Sequence, residues 1–212
     1  MNPSPFVRLF EREATPVLAR GFMATRCVNA TRICLDVMHA FNVRAIPMSV
    51  QAIAMNKIYR TKLDKLGRFP TSDELKAWLD EGAWALGVDI RDAATDADKN
   101  AWGGHLVAIV QDWLVDAAAI QLSRPQHGIE LPDIFVGETS RRFLKGKAPV
   151  RFANDAGAML YYTARLDDES WKTLPGFERH PYNAEASQEI AGRMARAMGR
   201  KAPSFASQEV VP

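Results

Sequence analysis

The chain has 212 residues, of which 47% are apolar and 25% charged, and a formal net charge of +2. That is enough chain for the core of one full domain, with an ordinary globular composition. The charge is too small to argue for nucleic acid or a membrane surface as partner.

No apolar run approaches the ~20 residues that span a bilayer. The start, Met1-Asn2-Pro3-Ser4-Pro5-Phe6, lacks the basic residues and apolar stretch of a signal peptide. The two cysteines, Cys27 and Cys34, lie about two turns apart if helical, or ~10 Å, too far for a disulfide. They also lack the spacing of a zinc site. Free thiols and no export signal point to a reducing, cytoplasmic setting.

Residues 5–20 carry Phe6, Leu9, Phe10, Val17 and Leu18, which predicts one or two short helices broken near Pro16. Over residues 25–41 the positions Cys27, Ala30, Ile33, Cys34, Val37 and Phe41 recur at helical spacing, and Asn42 is a plausible stop. Residues 44–54 read as a strand, with Pro47 pushing its start towards an edge or a bulge. Residues 56–69 are basic and mixed, a surface segment. Thr71 and Glu74 form a capping-box pattern that opens a helix running to about Glu81. The polar stretch 91–100 and Trp102-Gly103-Gly104 read as a loop that serves as a wall or lid.

The most informative stretch follows. Residues 105–110 and 113–118 are two apolar runs divided by Gln111 and Asp112, a strand, tight turn and strand. With that turn, Val110 faces Trp113 and Val107 faces Asp116. Side chains alternate along a strand, so His105, Val107 and Asp116 share one face, with Asp116 diagonal to His105. Beyond the hairpin, residues 117–133 read as an irregular connection. Residues 147–153 and 157–165 read as two more strands, and residues 183–200 as an amphipathic helix with a stripe of Ile190, Met194 and Met198.

Three residue types in this arrangement suggest chemistry. Cys27 in the first turn of a helix sits near the positive end of the macrodipole and near unpaired N–H groups, which favour the nucleophilic thiolate. Arg26 adds to this if it points inward. The plainer reading is a small buried hydrophobe, the role expected of Cys34. His105 fits a base that takes the thiol proton on one nitrogen and donates from the other to a carboxylate. Asp116, in the apolar run Trp113-Leu114-Val115-Asp116, needs a partner there. Asp112, its rival, lies in the turn. His39, His127 and His180 are weaker candidates. Arg124 either clamps an acidic substrate group or ties its loop to backbone carbonyls. Gln121 and Trp102 complete the candidate substrate-binding set, Trp102 as a pocket wall.

Cysteine at a helix start, histidine opening a strand and Trp-Leu-Val-Asp closing the next strand resemble the papain-like, transglutaminase-type superfamily. The hairpin resembles its His and Asp strands. Residues 121–129, Gln-Leu-Ser-Arg-Pro-Gln-His-Gly-Ile, are similar to small bacterial and phage relatives of that group. The resemblance covers roughly residues 25–130. It implies an α+β fold with a papain-like/transglutaminase-like core, in which a Cys-bearing helix packs on an antiparallel sheet. It further implies Cys27 as nucleophile, His105 as base and then acid, and Asp116 as holder of the imidazole tautomer. Two positions depart from the pattern. Val107 stands where transglutaminases often carry an aromatic, and no Gln lies shortly before Cys27 as it does in papain.

The expectation is a single transglutaminase-like domain over 1–203, with its core at about 25–165 and a mobile tail at 204–212. Its activity would be acyl transfer from an amide or peptide bond of a peptide or protein substrate. No metal, other cofactor, nucleic acid or membrane is expected to take part. The alternative is a catalytically inactive fold of the same kind that binds a protein or peptide.

Overall fold

The computed structural model describes residues 4–20, 26–88, 102–174, 176–177 and 181–205, with the side chain of Arg26 excluded. Within these it is an α+β protein, built on one antiparallel sheet with helices packed outside it.

The first helix, α1 (Pro5–Leu18), is capped by Ser4 and continues through Pro16. Pro16 was expected to break it. Only the last turn lies beyond that residue, so the lost N–H and the ring clash distort little. Next, α2 (Arg26–Ala40) carries Cys27 as its second residue. It is the most enclosed helix, burying Val28, Ile33, Cys34, Val37 and Met38. It packs against the sheet on one side and the last helix on the other.

The strand β1 (Ala45–Met55) is the spine of the sheet. Its first half pairs with β3 (His105–Val110), and its second half with β2 (Ala85–Val88) and β7 (Met159–Ala164). The Arg44 carbonyl bonds towards β3, and the Ser49 carbonyl bonds Arg165 on the opposite side. Backbone groups alternate between sides, so Pro47 turns its nitrogen towards the side that β7 does not reach. No ladder bond is lost there, as the edge expectation for Pro47 required. The Ala45 carbonyl on the same side is met by His39 Nε2 at 3.2 Å.

Between β1 and β2 the mixed basic segment is not merely surface. It forms α3 (Lys57–Leu66), with Asn56 as N-cap and Gly67 in the left-handed conformation as stop. Asn56 is a hub, accepting from Tyr59 and Trp84 N–H and donating to the Gly82 and His127 carbonyls. The helix α4 (Ser72–Asp80) follows with the reciprocal capping box of Thr71 and Glu74.

The hairpin has the expected register. Val110 is opposite Trp113 and Ala108 opposite Val115, where β4 is Trp113–Asp116. Gln111 takes a positive φ of 57°, the conformation a two-residue hairpin demands of its first turn residue. Two further elements lie between the irregular connection at 117–133 and the strand expected from 147, where no element was assigned from the sequence: β5 (Phe135–Glu138), which pairs with β4, and α5 (Arg141–Leu144). Then β6 (Val150–Ala153) pairs with β7, and α6 (Pro181–Ala197) is the last helix among the described residues.

The strand order β5-β4-β3-β1-β7-β6 conceals a strong curl. Residues of one face, read through the registers, are Met48, Val50, Ala52, Val107, Ile109, Leu114, Val150, Leu160 and Tyr162, and they form one cluster. Phe135 of β5 and Phe152 of β6 meet across it with centroids 4.9 Å apart. The two edge strands therefore confront each other, and the concave face is an interior. The convex face carries Leu106, Ala108, Val110, Val115 and Val136 against α1, α2 and α6. A second convex region, Ile53, Met55 and Met159, packs on Tyr59, Leu63 and Trp78 of α3 and α4.

Gly137 marks the closure. A Cβ at that position would overlap the ring of Phe152. Gly137→Ala should therefore destabilise the protein by about 1–3 kcal/mol, the usual cost of overpacking a core. Denaturant unfolding measures it, and an unchanged midpoint would mean that the edges do not meet in this way.

Candidate active site

The site lies where the N-terminal end of α2 reaches the rim of the curled sheet. Thr31, one turn beyond Cys27, donates its hydroxyl to the Leu106 carbonyl at 2.8 Å in a buried position. That bond joins α2 to β3 at the residue after His105, which places Cys27 beside the histidine. Cys27 is 8% exposed, His105 2% and Asp116 0%. The Cys27 sulfur lies close enough to the imidazole to act on its protonation by charge and hydrogen bonding.

On the other side of the ring, His105 Nε2–H donates to Asp116 Oδ2 at 2.8 Å. A carboxylate only accepts, so Nε2 carries a proton and Nδ1 is left for the thiol. Asp116 also accepts from the Tyr162 hydroxyl at Oδ2, 2.8 Å, and from Ala118 N–H at Oδ1, 3.0 Å. Three donors satisfy a carboxylate with no water-facing surface, as a buried charge requires.

Electrostatics follow from that enclosure. Burial works to lower the His105 pKa, the largest single effect on it. The Asp116 carboxylate opposes this by charge and hydrogen bond, the Cys27 sulfur adds to it, and the net result is a pKa raised well above the ordinary 6.5. The Tyr162 hydroxyl is pushed well above its ordinary value by burial and by Asp116, so it stays protonated and a donor. Burial alone pushes the Cys34 thiol far up. The two cysteines share a helix and differ in surroundings: Cys34 has apolar packing, Cys27 has an imidazole.

The other sequence candidates lie elsewhere in the hydrogen-bond network. Trp102 Nε1–H donates to Asp168 Oδ2 at 2.9 Å, as does the Ser49 hydroxyl. Burial raises the Asp168 carboxyl, but donors from Ser170, Trp102 and Ser49 outweigh it and hold the group below the usual range. The Trp102 ring lies over Gly104, where a Cβ would sit 2.6 Å from it. Arg124 donates from Nη1 to the Ser123 and Gln121 carbonyls at 2.6 and 3.1 Å, the loop-tying role. Neither the Arg124 nor the Gln121 side chain takes part in the Cys27–His105–Asp116 chain of contacts. Asp112 is exposed in the hairpin turn, and His127 stacks on Trp84 with centroids 3.4 Å apart. His180, residues 91–101, residues 206–212 and the Arg26 side chain lie outside the described residues.

Tyr162 and Asp168 escaped the sequence reading. A carboxylate in an apolar strand signals that it needs several donors, but Tyr161 and Tyr162 are adjacent. Only the register with β1 decides that Tyr162 is the inward one. Among the described residues no cluster of three or more His, Cys, Asp or Glu is placed to hold a metal ion, and no helix is long and apolar enough to cross a membrane. Comparison with protein-family models, with curated proteins and with solved structures returned no match.

The raised pKa of His105 makes stability depend on pH with a definite sign. The folded state holds a proton that the unfolded chain releases near 6.5. The resulting stability is complete below that pH and is lost as pH rises through the folded value. The cleanest comparison is Cys27→Ala with Cys27→Ala/His105→Gln, so that only the imidazole differs. The melting temperature of the first should fall relative to the second as pH rises from 6.5 into the alkaline range. A gap that stays constant would contradict the buried ion pair.

Proposed function

We propose that the protein is a thiol-dependent acyl-transfer enzyme that acts on an amide or peptide bond through a thioester on Cys27, with a papain-like, transglutaminase-like arrangement of helix and sheet. The observation that carries this reading is the continuous buried chain from Cys27 through His105 to Asp116. These residues come from α2, β3 and β4, and Cys27 lies far upstream of the hairpin that carries the other two. A structural histidine needs no thiol, and a structural cysteine needs no imidazole that a carboxylate orients.

In the proposed reaction, the thiol proton already sits on His105 Nδ1, as the raised imidazole pKa favours, and Cys27 Sγ attacks the substrate carbonyl carbon as the thiolate. The carbonyl π pair moves to oxygen, and the backbone N–H of Cys27, one of the first-turn amides that an α-helix leaves unpaired, is the first donor to that oxyanion. As the tetrahedral intermediate collapses, the C–N bond breaks and His105 returns its proton to the departing amine. An acceptor then attacks the thioester and gives its proton to His105. The second tetrahedral intermediate collapses with cleavage of the C–S bond, which frees the product and returns Cys27 as thiolate beside the protonated imidazole. Water as acceptor gives a peptidase, amidase or deamidase, and an amine gives a transamidase. Asp116 holds Nε2–H throughout and keeps Nδ1 aimed at sulfur. No metal or cofactor enters these steps.

The test is alkylation with iodoacetamide at neutral pH, read site by site by mass spectrometry. Cys27 should far outpace the enclosed Cys34, and His105→Ala should slow Cys27 by about 10²-fold, the scale of a positioned base. An inert Cys27, or equal rates with and without His105, would sink the enzyme reading. The remaining interpretation would then be an inactive fold of this kind that binds a protein or peptide.

A further inference from the structure

The sheet's curl brings a side chain from its far half into contact with the hairpin. Tyr162 belongs to β7, which is separated from β4 by β3 and β1 in the strand order. Its hydroxyl nonetheless reaches Asp116 Oδ2 at 2.8 Å across the interior. The ring is held by Phe135 and Phe152, with centroids 6.5 and 6.2 Å away, so the hydroxyl has little freedom to leave. It bonds the same oxygen that faces His105, while Ala118 N–H occupies Oδ1.

We infer that Tyr162 is a positioning residue for the His105–Asp116 pair: its hydroxyl fixes the carboxylate in line with Nε2–H and draws off part of the negative charge presented to the imidazole. The consequence for catalysis rests on the proposed acyl-transfer reading. The effect on the pair does not.

The direction of the effect follows from charge. A hydroxyl dipole with its positive end at Oδ2 is bound more strongly when the neighbouring imidazole is neutral than when it is a cation competing for the same oxygen. Tyr162 therefore favours the neutral ring and tempers the hold of Asp116 on the proton. A base that must return its proton to a leaving amine works best when its pKa is not far from the working pH. Asp116 with fewer donors would grip that proton too firmly. Among the described residues, the titratable groups facing the imidazole are Cys27 from α2 and Asp116 from β4, and those facing Asp116 are His105 from β3 and Tyr162 from β7. The Tyr162 hydroxyl is itself held protonated by burial and by Asp116, so it acts as a fixed donor over the range in question.

The experiment is an NMR titration of the His105 ring in protein labelled at histidine. It is run in the Cys27→Ala background, where neither thiol chemistry nor activity enters. Four histidines are present, and His105→Gln identifies the signal. Tyr162→Phe, which keeps the ring and removes the hydroxyl, should move the His105 titration to higher pH by about half a unit or more. The change should vanish when Asp116→Asn is added. Loss of packing alone would lower the melting temperature without this Asp116-dependent shift. If Tyr162→Phe does not fold, 3-fluorotyrosine placed at 162 supplies a stronger donor and should move the titration to lower pH. An unmoved titration, a shift of the opposite sign, or one that persists without Asp116 would overturn the assignment. Failure of the alkylation test with a positive result here would reject the enzyme reading and leave the Tyr162 assignment intact.

Discussion

The arrangement depends on one buried anion. Asp116 closes an apolar strand and has no exposure to water, a position that is strongly unfavourable unless the charge is paired and hydrogen-bonded. Its three donors come from β3, β7 and the turn just beyond β4. To satisfy it, the sheet must curl far enough for Tyr162 to cross the interior, and His105 must turn inward at the start of its strand. The carboxylate thus ties the curvature of the sheet to the orientation of the imidazole. The same requirement that makes the pair costly to bury makes its geometry well defined.

The helix side of the site is fixed separately. Thr31 bonds the Leu106 carbonyl, and a continuous apolar surface of α2 packs against the convex face of β3 and against α6. This places the helix start, and with it Cys27, at the rim beside His105. Cys34 lies two turns deeper on the same helix, and apolar burial disfavours its charged form. One helix therefore holds one thiol beside an imidazole and another among apolar side chains.

Much of this was legible in the sequence wherever local signals were strong. Gln111 and Asp112 between two apolar runs set the register, and the register put His105 and Asp116 on one face. The Thr71–Glu74 capping box located α4, and the helical spacing around Cys27 located α2. The reading failed where mixed composition or short length hid the period. In α3 only Tyr59 and Leu63 are buried, too few to show a stripe among basic residues. Four-residue strands such as β2 and β5 carry too little alternation to stand out from a loop. Tyr162 was out of reach for another reason. Its contact with Asp116 arises from how far the whole sheet curls, and no local pattern records that.

The central claim is that Cys27 carries the acyl group, and direct capture of that group tests it most simply. The protein is treated with 4-nitrophenyl acetate, and the acetylated residue is mapped by mass spectrometry before and after hydroxylamine, which cleaves thioesters and leaves lysine amides. The account predicts a hydroxylamine-sensitive acetyl on Cys27 that forms poorly in His105→Ala. Acetyl found only on lysines, or on Cys27 to the same extent without His105, would contradict it.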